Sequence, residues 1–471
     1  MTQPAPTAAA QADGHRAASR HAGPAGIAGW VLFDWSMQPF FTLVTTFVFG
    51  PFFAARVAAS AADGQALWGY ATAAAGLVIA LMSPVLGAVA DASGRRKPWV
   101  MAFGLLMALG STALWWAIPG TPGAVAIGLL GFAIGTIGAE FATVFNNAMM
   151  PGLVPKERLG RLSGLGWACG YVGGLISLVL TLGFLSASPE TGRTLLGFGP
   201  LFGLDPATGA GDRATGPLSA VWFFVFVLPM LMFTPDRPAT GLGLRAAIRH
   251  GLAELRVTLA ALRRDERNLM RFLIANMIYT DGLAALFAFG GIYAAGVFGW
   301  TTIEIGIFGI LLTITGTIGA WLGGRLDDRL GSKAVVAGAL TVLIAATILI
   351  VSIDGGHILF VLPAAGPVPG DGLFASTPER LYVALGCVIG LVSGPMQAGS
   401  RTLLAHLAPA ERIGQFYGLF ALSGKVTSFA GPLAVAFVTD ISESQRAGAS
   451  VLLAFFAVGL WLLAGTAARR A

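Results

Sequence analysis

Apolar stretches of about 20 residues recur along almost the whole chain, and they constrain its fold more than any other feature. A helix of that length spans the hydrocarbon core of a bilayer, where backbone polar groups must be satisfied within the segment. Charged residues make up only 11% of the 471 positions, whereas a soluble domain carries roughly 25%. We therefore predict an all-α membrane protein with twelve transmembrane helices, at residues 27–55, 67–90, 98–118, 124–150, 162–187, 217–234, 269–298, 303–326, 334–353, 380–408, 416–440 and 448–467.

Basic residues fall in alternate loops of this predicted topology. Arg95 follows the second apolar stretch, Lys156 follows the fourth, and Arg412 precedes the eleventh, while the longest basic segment separates the sixth from the seventh. By the positive-inside rule, these loops and both termini are cytoplasmic. The topology accounts for the net charge of +6, so we expect no nucleic-acid partner.

The central basic segment divides the chain into two parts of similar length. Its residues 242–264 fit either a basic helix that lies on an anionic leaflet or a solvated linker. The predicted organisation is a disordered cytoplasmic tail at 1–26, an N-terminal six-helix half at 27–234, a cytoplasmic central loop at 235–268, a C-terminal six-helix half at 269–467 and a short tail at 468–471.

Two phrases occur once in each part of the chain. In the first phrase, a glycine, an aspartate, a second glycine and a basic end recur after 237 positions, as Gly87, Asp91, Gly94, Arg95 and Arg96, and then as Gly324, Asp328, Gly331 and Lys333. In the second, Pro155 to Leu165 matches Pro409 to Leu419, after 254 positions. Duplicated sets of hydrophobic helices are typical of secondary transporters, which hold the substrate between the halves. The repeats therefore predict two six-helix halves related in parallel.

The first phrase has the chemistry of a gating latch. A glycine near a helix end permits close helix packing. An aspartate four residues later can accept hydrogen bonds from backbone donors or pair with the cations of the turn. We expect both copies of this latch to hold the cytoplasmic side shut in one state of the protein.

Six further phrases point to a particular family. They are GWVLFDWS at 29–36, SGLGWACGYVGG at 163–174, DG at 281–282 with GIYA at 291–294, QAGSR at 397–401, LSGKVTS at 422–428 and SQRAG at 444–448. Together they resemble the branch of the major facilitator superfamily that contains the autophagy-related vacuolar amino-acid effluxers and their bacterial relatives.

The resemblance implies the major facilitator fold, a monomer and a cavity lined by helices one, four, seven and ten. It also implies secondary active transport of a small polar solute, an amino acid or similar, by alternating access, with efflux and proton coupling expected. Two alternatives stay open: an exporter of drugs or other amphipathic solutes, and a transport-inactive membrane sensor. The Ala-, Gly- and Arg-rich composition suggests a GC-rich bacterial source, and therefore the inner (plasma) membrane.

Charged residues inside the apolar stretches are the best candidates for the transport site. Each costs about 2.5–3.5 kcal/mol at the centre of the bilayer unless it is paired or hydrated. Glu140 and Asn147 fall on one face of helix four, and Asp281 in helix seven lies at a depth similar to that of Glu140. Asp34 in helix one is closer to the cytoplasm. Because desolvation raises the proton affinity of a carboxylate, Glu140 and Asp281 are the first candidates for proton coupling.

Two cations complete the predicted site. Lys425 in helix eleven can pair with one of these carboxylates or receive a carboxylate of the substrate. Arg401, which the second repeat aligns with Asn147, can do the same closer to the cytoplasm. Each candidate also has a purely structural interpretation: a static ion pair, or, for Arg401, a side chain that snorkels to the lipid headgroups.

The sequence predicts neither an enzyme nor a resident cofactor. It contains no Walker A phrase, so we do not expect this chain to hydrolyse ATP. The two cysteines, Cys169 and Cys387, are far apart in apolar stretches and lack the spacing of a metal site. We therefore expect the partners to be a small-molecule substrate, protons and the lipid bilayer.

Overall fold

The computed structural model describes residues 21–59, 61–189, 191–264, 266–300, 302–367, 372–424, 427, 430–442 and 444–467, most of which are helical. The predicted tail residues 1–20 and 468–471 and the candidate Lys425 lie outside the described residues. The N-terminal half contains α1 (Pro24–Pro39), α2 (Ala61–Ser93), α3 (Lys97–Ala113), α4 (Ala124–Met149), α5 (Leu159–Leu180) and α6 (Thr215–Phe233). The C-terminal half contains α7 (Arg267–Phe298), α8 (Thr302–Leu330), α9 (Ser332–Val351), α10 (Thr377–Leu407), α11a (Ile413–Ser423), α11b (Ala430–Ser442) and α12 (Gln445–Ala464).

Eleven helical segments in the described part of the chain are long and apolar enough to cross a membrane. The first of them continues beyond α1 through π-helical turns to Val57. The helix predicted at 416–440 is instead divided into α11a and α11b. Gly424 and Thr427 lie in turns, and Pro432 lies in the first turn of α11b, where a proline is tolerated. The predicted membrane fold is confirmed, with the eleventh helix interrupted.

A small strand pair departs from the all-α prediction. Strand β1 (His357–Ile358) pairs antiparallel with β2 (Leu362–Pro363) in the loop that follows α9. The pairing covers only two residues on each strand, so it leaves the helical architecture unchanged.

Each half has a core that is rich in aromatic side chains. Phe40, Phe132 and Phe145 are fully buried in the N-terminal half, and Tyr279 and Phe456 are fully buried in the C-terminal half. Buried aromatic rings of this size contribute much of the contact area of a core. The first core lies within the N-terminal half, whereas the second also includes N-terminal residues such as Trp30 and Leu159, so it joins the two halves.

The halves pack on each other through two symmetry-related pairs of helices. Helix α2 packs against α11a, and α5 packs against α8. The loops that follow α2, α4, α8 and α10 form one end of the molecule, called here the basic face. A further helix, Leu244–Arg264, called the linker helix, connects the halves and packs against α2 at this face.

Candidate transport site and gating latches

The guanidinium of Arg401 lies at the centre of a polar cluster that joins the two halves. It extends from α10 and is only 4% exposed. Its Nη1 lies 3.3 Å from Oδ2 of Asp34 on α1 and donates to Oδ1 of Asn147 on α4 at 3.0 Å. Its Nε donates to Oγ of Ser163 on α5 at 2.9 Å, and its Nη2 to the carbonyl of Ser163 at 2.6 Å. All three nitrogens of this α10 side chain are therefore bound by the N-terminal half.

The surroundings of Arg401 fix its position. The hydroxyl of Tyr417 donates to the Arg401 carbonyl at 3.0 Å, and the guanidinium carbon lies 5.1 Å from the ring centre of Trp30. Gly166 leaves the space that the ion pair occupies, because a Cβ there would lie 2.5 Å from Oδ2 of Asp34. Arg401 is six residues before the end of α10, so it lies roughly 9 Å from the basic face. This depth and the ion pair with Asp34 do not fit a side chain that snorkels to the headgroups.

The first latch joins the end of α2 to the beginning of α11a. The Asp91 carboxylate accepts hydrogen bonds from the backbone N–H groups of Gly414 at 3.1 Å and Gln415 at 2.9 Å. It also pairs with Arg96, which is 1% exposed. Burial lowers the pKa of the Arg96 guanidinium, and Asp91 opposes that shift. Gly87 permits the close approach, since a Cβ there would lie 2.4 Å from the Gly414 carbonyl oxygen.

The second latch joins the end of α8 to the beginning of α5 in the same way. Oδ1 of Asp328 accepts from the backbone N–H of Arg161 at 2.9 Å, and Oδ2 lies 3.4 Å from the Arg161 side chain. Gly160 and Arg161 are the repeat counterparts of Gly414 and Gln415. The two repeated phrases therefore meet each other: the aspartate of each half binds the N-terminal turn of a helix in the other half.

The basic ends of the two latches differ in their contacts. Arg95 is exposed, whereas Arg96 is buried beside Asp91. Lys333, the counterpart of Arg96, donates to the carbonyls of Ala464 and Thr466 at 2.8 and 2.6 Å, at the end of α12. The cation beside Asp328 is Arg161, which the sequence analysis did not select. Positive φ angles of 83° at Gly94 and 84° at Gly331 make the two turns that follow the aspartates.

Asp236, which the sequence analysis did not select, also belongs to the first latch. It follows α6 and accepts from the backbone N–H groups of Arg96 at 2.9 Å and Lys97 at 3.0 Å, at the beginning of α3. An anion at a helix N-terminus is stabilised by the free N–H groups and the helix dipole. The neighbouring Arg237 donates to the carbonyl of Ala410 at 3.0 Å, across the boundary between the halves. No local sequence signal links Asp236 to a turn 140 residues earlier.

The remaining intramembrane candidates lie apart from the Arg401 cluster. Glu140 is half-buried on α4, seven residues before Asn147 and so roughly 10 Å from it along the helix. Asp281 is 2% exposed on α7, and its Oδ1 has no hydrogen-bond partner in the described part of the chain. Its backbone carbonyl packs against Gly431 at the beginning of α11b. Asp281 therefore lies next to the beginning of α11b.

No group of three or more His, Cys, Asp or Glu side chains that could hold a metal ion occurs among the described residues. The chemistry that the geometry supports is binding and release across the boundary between the halves. Arg401 binds four acceptors on three N-terminal helices and so connects the two halves beneath the basic face.

The family of the chain follows from comparison with known proteins. A family model described as vacuole effluxer Atg22 like matches residues 56–471. The chain belongs to this family. The resemblance noted from the sequence is thereby confirmed, and this member has the Asp34–Arg401 pair and both latches described above.

Relatives of this Atg22-like chain include proteins from bacteria and fungi. The uncharacterized MFS-type transporter YxiO of Bacillus subtilis is 26% identical over 448 residues, which cover 92% of this chain and 93% of the relative. Autophagy-related protein 22 of Cryptococcus neoformans is 29% identical over 322 residues, 66% of this chain and 51% of that protein. The chain thus matches about half the length of the fungal relative.

Solved structures of major facilitator transporters share the fold of this Atg22-like protein. FucP in the outward conformation superposes with a TM-score of 0.66 at 15% identity, covering 94% of this chain and 98% of FucP. The human organic anion transporter MFSD10 superposes with a TM-score of 0.65 at 17% identity, covering 94% and 100%. The protein is a multi-pass membrane transporter of the major facilitator type and not an enzyme.

Proposed function

We propose that this protein moves a small polar solute, with amino acids as the leading class, out of the bacterial cytoplasm by proton-coupled alternating access. The observation that carries the proposal is the Arg401 cluster, in which one cation of the C-terminal half is bound by three helices of the N-terminal half. The family description as an effluxer supports the direction. The distribution of basic loops supports cytoplasmic termini and a cytoplasmic basic face.

In this mechanism, the described structure is the state that is closed at the basic face. Opening that face separates α10 from α1, α4 and α5, so Arg401 loses Asp34, Asn147 and Ser163 together. A buried guanidinium without a partner is costly, because its desolvation is no longer offset by an opposite charge. A substrate carboxylate bound at Arg401 replaces Asp34, and a proton bound at Asp34 removes the charge that Arg401 leaves behind.

The other intramembrane charges serve proton and substrate binding in this proposal. Glu140 and Asp281 carry protons, and the burial of the Asp281 side chain supports that role. Lys425 binds either a carboxylate of the protein or that of the substrate. The two latches set the closed state, because Asp91 and Asp328 each bind the other half only at the basic face.

A second substrate class has one observation in its favour. The C-terminal half contains a cavity of about 380 Å³ lined mainly by apolar and aromatic side chains, including Tyr293, Phe308 and Tyr382. Mostly apolar pockets with a few polar groups are typical of sites for drug-sized molecules. An amphipathic solute would bind there through its apolar part.

Substrate counterflow in proteoliposomes separates these classes. Vesicles that contain the purified protein are loaded with one unlabelled amino acid, and entry of the same labelled amino acid is followed; amphipathic cations are tested in parallel. We expect amino-acid counterflow in the wild type and at least tenfold slower counterflow in Arg401→Lys, which keeps the charge but loses the guanidinium fork. Counterflow of amphipathic solutes alone would favour the second class. Absence of counterflow with every solute would favour the transport-inactive sensor.

A further inference from the structure

The linker helix combines one packed face with an unpartnered face that has the pattern of a lipid-binding surface. Ala247, Gly251 and Leu255, one turn apart, are buried, and Gly251 lies against Ala88 of α2. Beside this packed face, Ile248 and Leu252 are 39% and 38% exposed. At about 100° per residue, these two side chains lie about 60° and 100° around the helix from Gly251.

A row of arginines borders this apolar strip. Arg245, Arg249 and Arg256 lie about 120° to 160° from Gly251 around the same helix, and all three are exposed. None of them is in an ion pair with another side chain of the described ranges. An amphipathic helix with an apolar strip flanked by Arg is the form that lies in the interface between lipid tails and headgroups.

The position of the helix on α2 agrees with that orientation. Leu77 and Leu81 lie eleven and seven residues before Ala88, which puts them on the same face of α2, deeper in the membrane. They are 59% and 66% exposed, as expected of lipid-facing side chains. The linker helix therefore covers the membrane-facing side of α2 at the edge of the bilayer.

We propose that Ile248 and Leu252 of the linker helix insert beside the lipid tails while Arg245, Arg249 and Arg256 bind the phosphates of anionic phospholipids. Arg side chains extend along apolar surface and present their guanidinium groups to headgroups. They form bidentate hydrogen bonds with phosphate oxygens. The occupant of the surface is the anionic leaflet at the basic face, and the surface is a binding site that lies outside the transport pathway.

The same contact places the lipid next to the first latch. Gly251 packs on α2 between Gly87 and Asp91, and Thr240, just before the linker helix, donates to the Ala92 carbonyl at 2.7 Å. Lipid that holds the linker helix in the interface therefore favours the closed basic face. This consequence rests on the proposed alternating-access mechanism, whereas lipid binding itself does not.

Native mass spectrometry of the full chain, delipidated and titrated with phosphatidylglycerol or with phosphatidylcholine of identical tails, tests the proposal. Each Arg near an anionic surface contributes about 1 kcal/mol. The variant R245Q/R249Q/R256Q should therefore bind phosphatidylglycerol on the order of 100-fold more weakly, and R249Q about fivefold more weakly. Phosphatidylcholine binding should be unchanged in both.

The matched control is R158Q/R267Q/R329Q, which removes three exposed charges elsewhere at the basic ends of the helices. It should keep phosphatidylglycerol affinity within about threefold of the wild type, a factor below the fivefold expected for one lost headgroup contact. Equal loss in both triple variants would show that only net charge matters and would overturn the proposal, as would unchanged affinity in R249Q and the linker triple variant. Binding does not require transport, so a failure here is distinct from a failure of the proposed function.

Discussion

Replacing Asp91 by Asn perturbs the first latch with little change in shape. The carboxylate makes three contacts, of which the hydrogen bonds from Gly414 and Gln415 cross between the halves and break when the basic face opens. The pair with Arg96 lies within one half. Its weakening costs the open and closed states equally, so it cancels in their ratio.

The magnitude follows from the two bonds that cross. A hydrogen bond to a charged group contributes about 1.5–3 kcal/mol, and one between neutral groups about 0.5–1.5 kcal/mol. The two N–H groups donate to different oxygens of Asp91, and Asn has only one acceptor oxygen. One bond is therefore weakened by about 1 kcal/mol and the other is lost, so the two changes together give about 3 kcal/mol. A shift of that size changes the ratio of open to closed protein by roughly 150-fold.

Double electron–electron resonance measures this ratio directly. Spin labels at E157C and L330C report the gap beside the second latch, so the labels leave the first latch untouched; both positions are exposed. Cys169 and Cys387 are replaced by Ala in this background. We expect D91N to populate a longer distance that is minor in the wild type. The control D354N removes a partly exposed carboxylate that bonds within the loop after α9 and to Arg446, and it should leave the distances unchanged. A D91N distribution identical to that of the wild type would refute the latch.

Three further predictions concern packing, charge and pH. Gly87→Ala puts a methyl group 2.4 Å from the backbone oxygen of Gly414, whereas the methyl group of Gly76→Ala on the same helix meets nothing within 4 Å. Because overpacking costs about 1–3 kcal/mol, only Gly87→Ala should open the basic face in the same spin-label assay. Equal distance distributions in the two variants would contradict the close contact. Asp328→Asn should also open that face, because the hydrogen bond from the Arg161 N–H and the ion pair with the Arg161 side chain both cross between the halves. Labels at R95C and E411C measure this opening, and a closed face in this variant would refute the second latch. Hydrogen bonds from the N–H groups of Gly356 and His357 hold the pKa of Asp354 below its ordinary value of 3.8. The Asp354 carboxylate therefore stabilises the fold above pH 3.8, and this stabilisation is lost as the pH falls through the lowered pKa. Between pH 3 and 7, the thermal unfolding temperature of D354N should fall less on acidification than that of the wild type, and an equal fall in both would contradict the assignment.

The sequence predicted the helices well because each span is fixed by local composition. It also located the latch aspartates, since Asp91 and Asp328 stand at matched places in two copies of one phrase. The partners of those aspartates were contained in the second repeat, at Gly160 and Gly414, but only the packing of the halves shows that one repeat binds the other. The division between α11a and α11b was not predicted, because the apolar composition continues from one to the other.

The polar cluster shows what could not be predicted from the sequence. Asp34, Asn147 and Arg401 were selected separately as charged or polar residues in apolar stretches, and the structure brings these three together. Ser163 and Asp236 could not be selected, because a serine in a helix and an aspartate after one are ordinary in sequence. Their roles depend on a partner more than 100 residues away in the chain.

Proton movement that accompanies substrate movement is the most direct test of the transport mechanism. Proteoliposomes that contain the purified protein and an internal pH-sensitive dye receive a labelled amino-acid pool, with and without an imposed pH gradient. The mechanism predicts that the gradient accelerates amino-acid movement, that the dye reports a proton flux which depends on the amino acid, and that both effects are lost in Asp34→Asn. If the pH gradient does not change the rate of amino-acid movement, or if that movement stays proton-coupled in Asp34→Asn, the role assigned to the Asp34–Arg401 pair is contradicted.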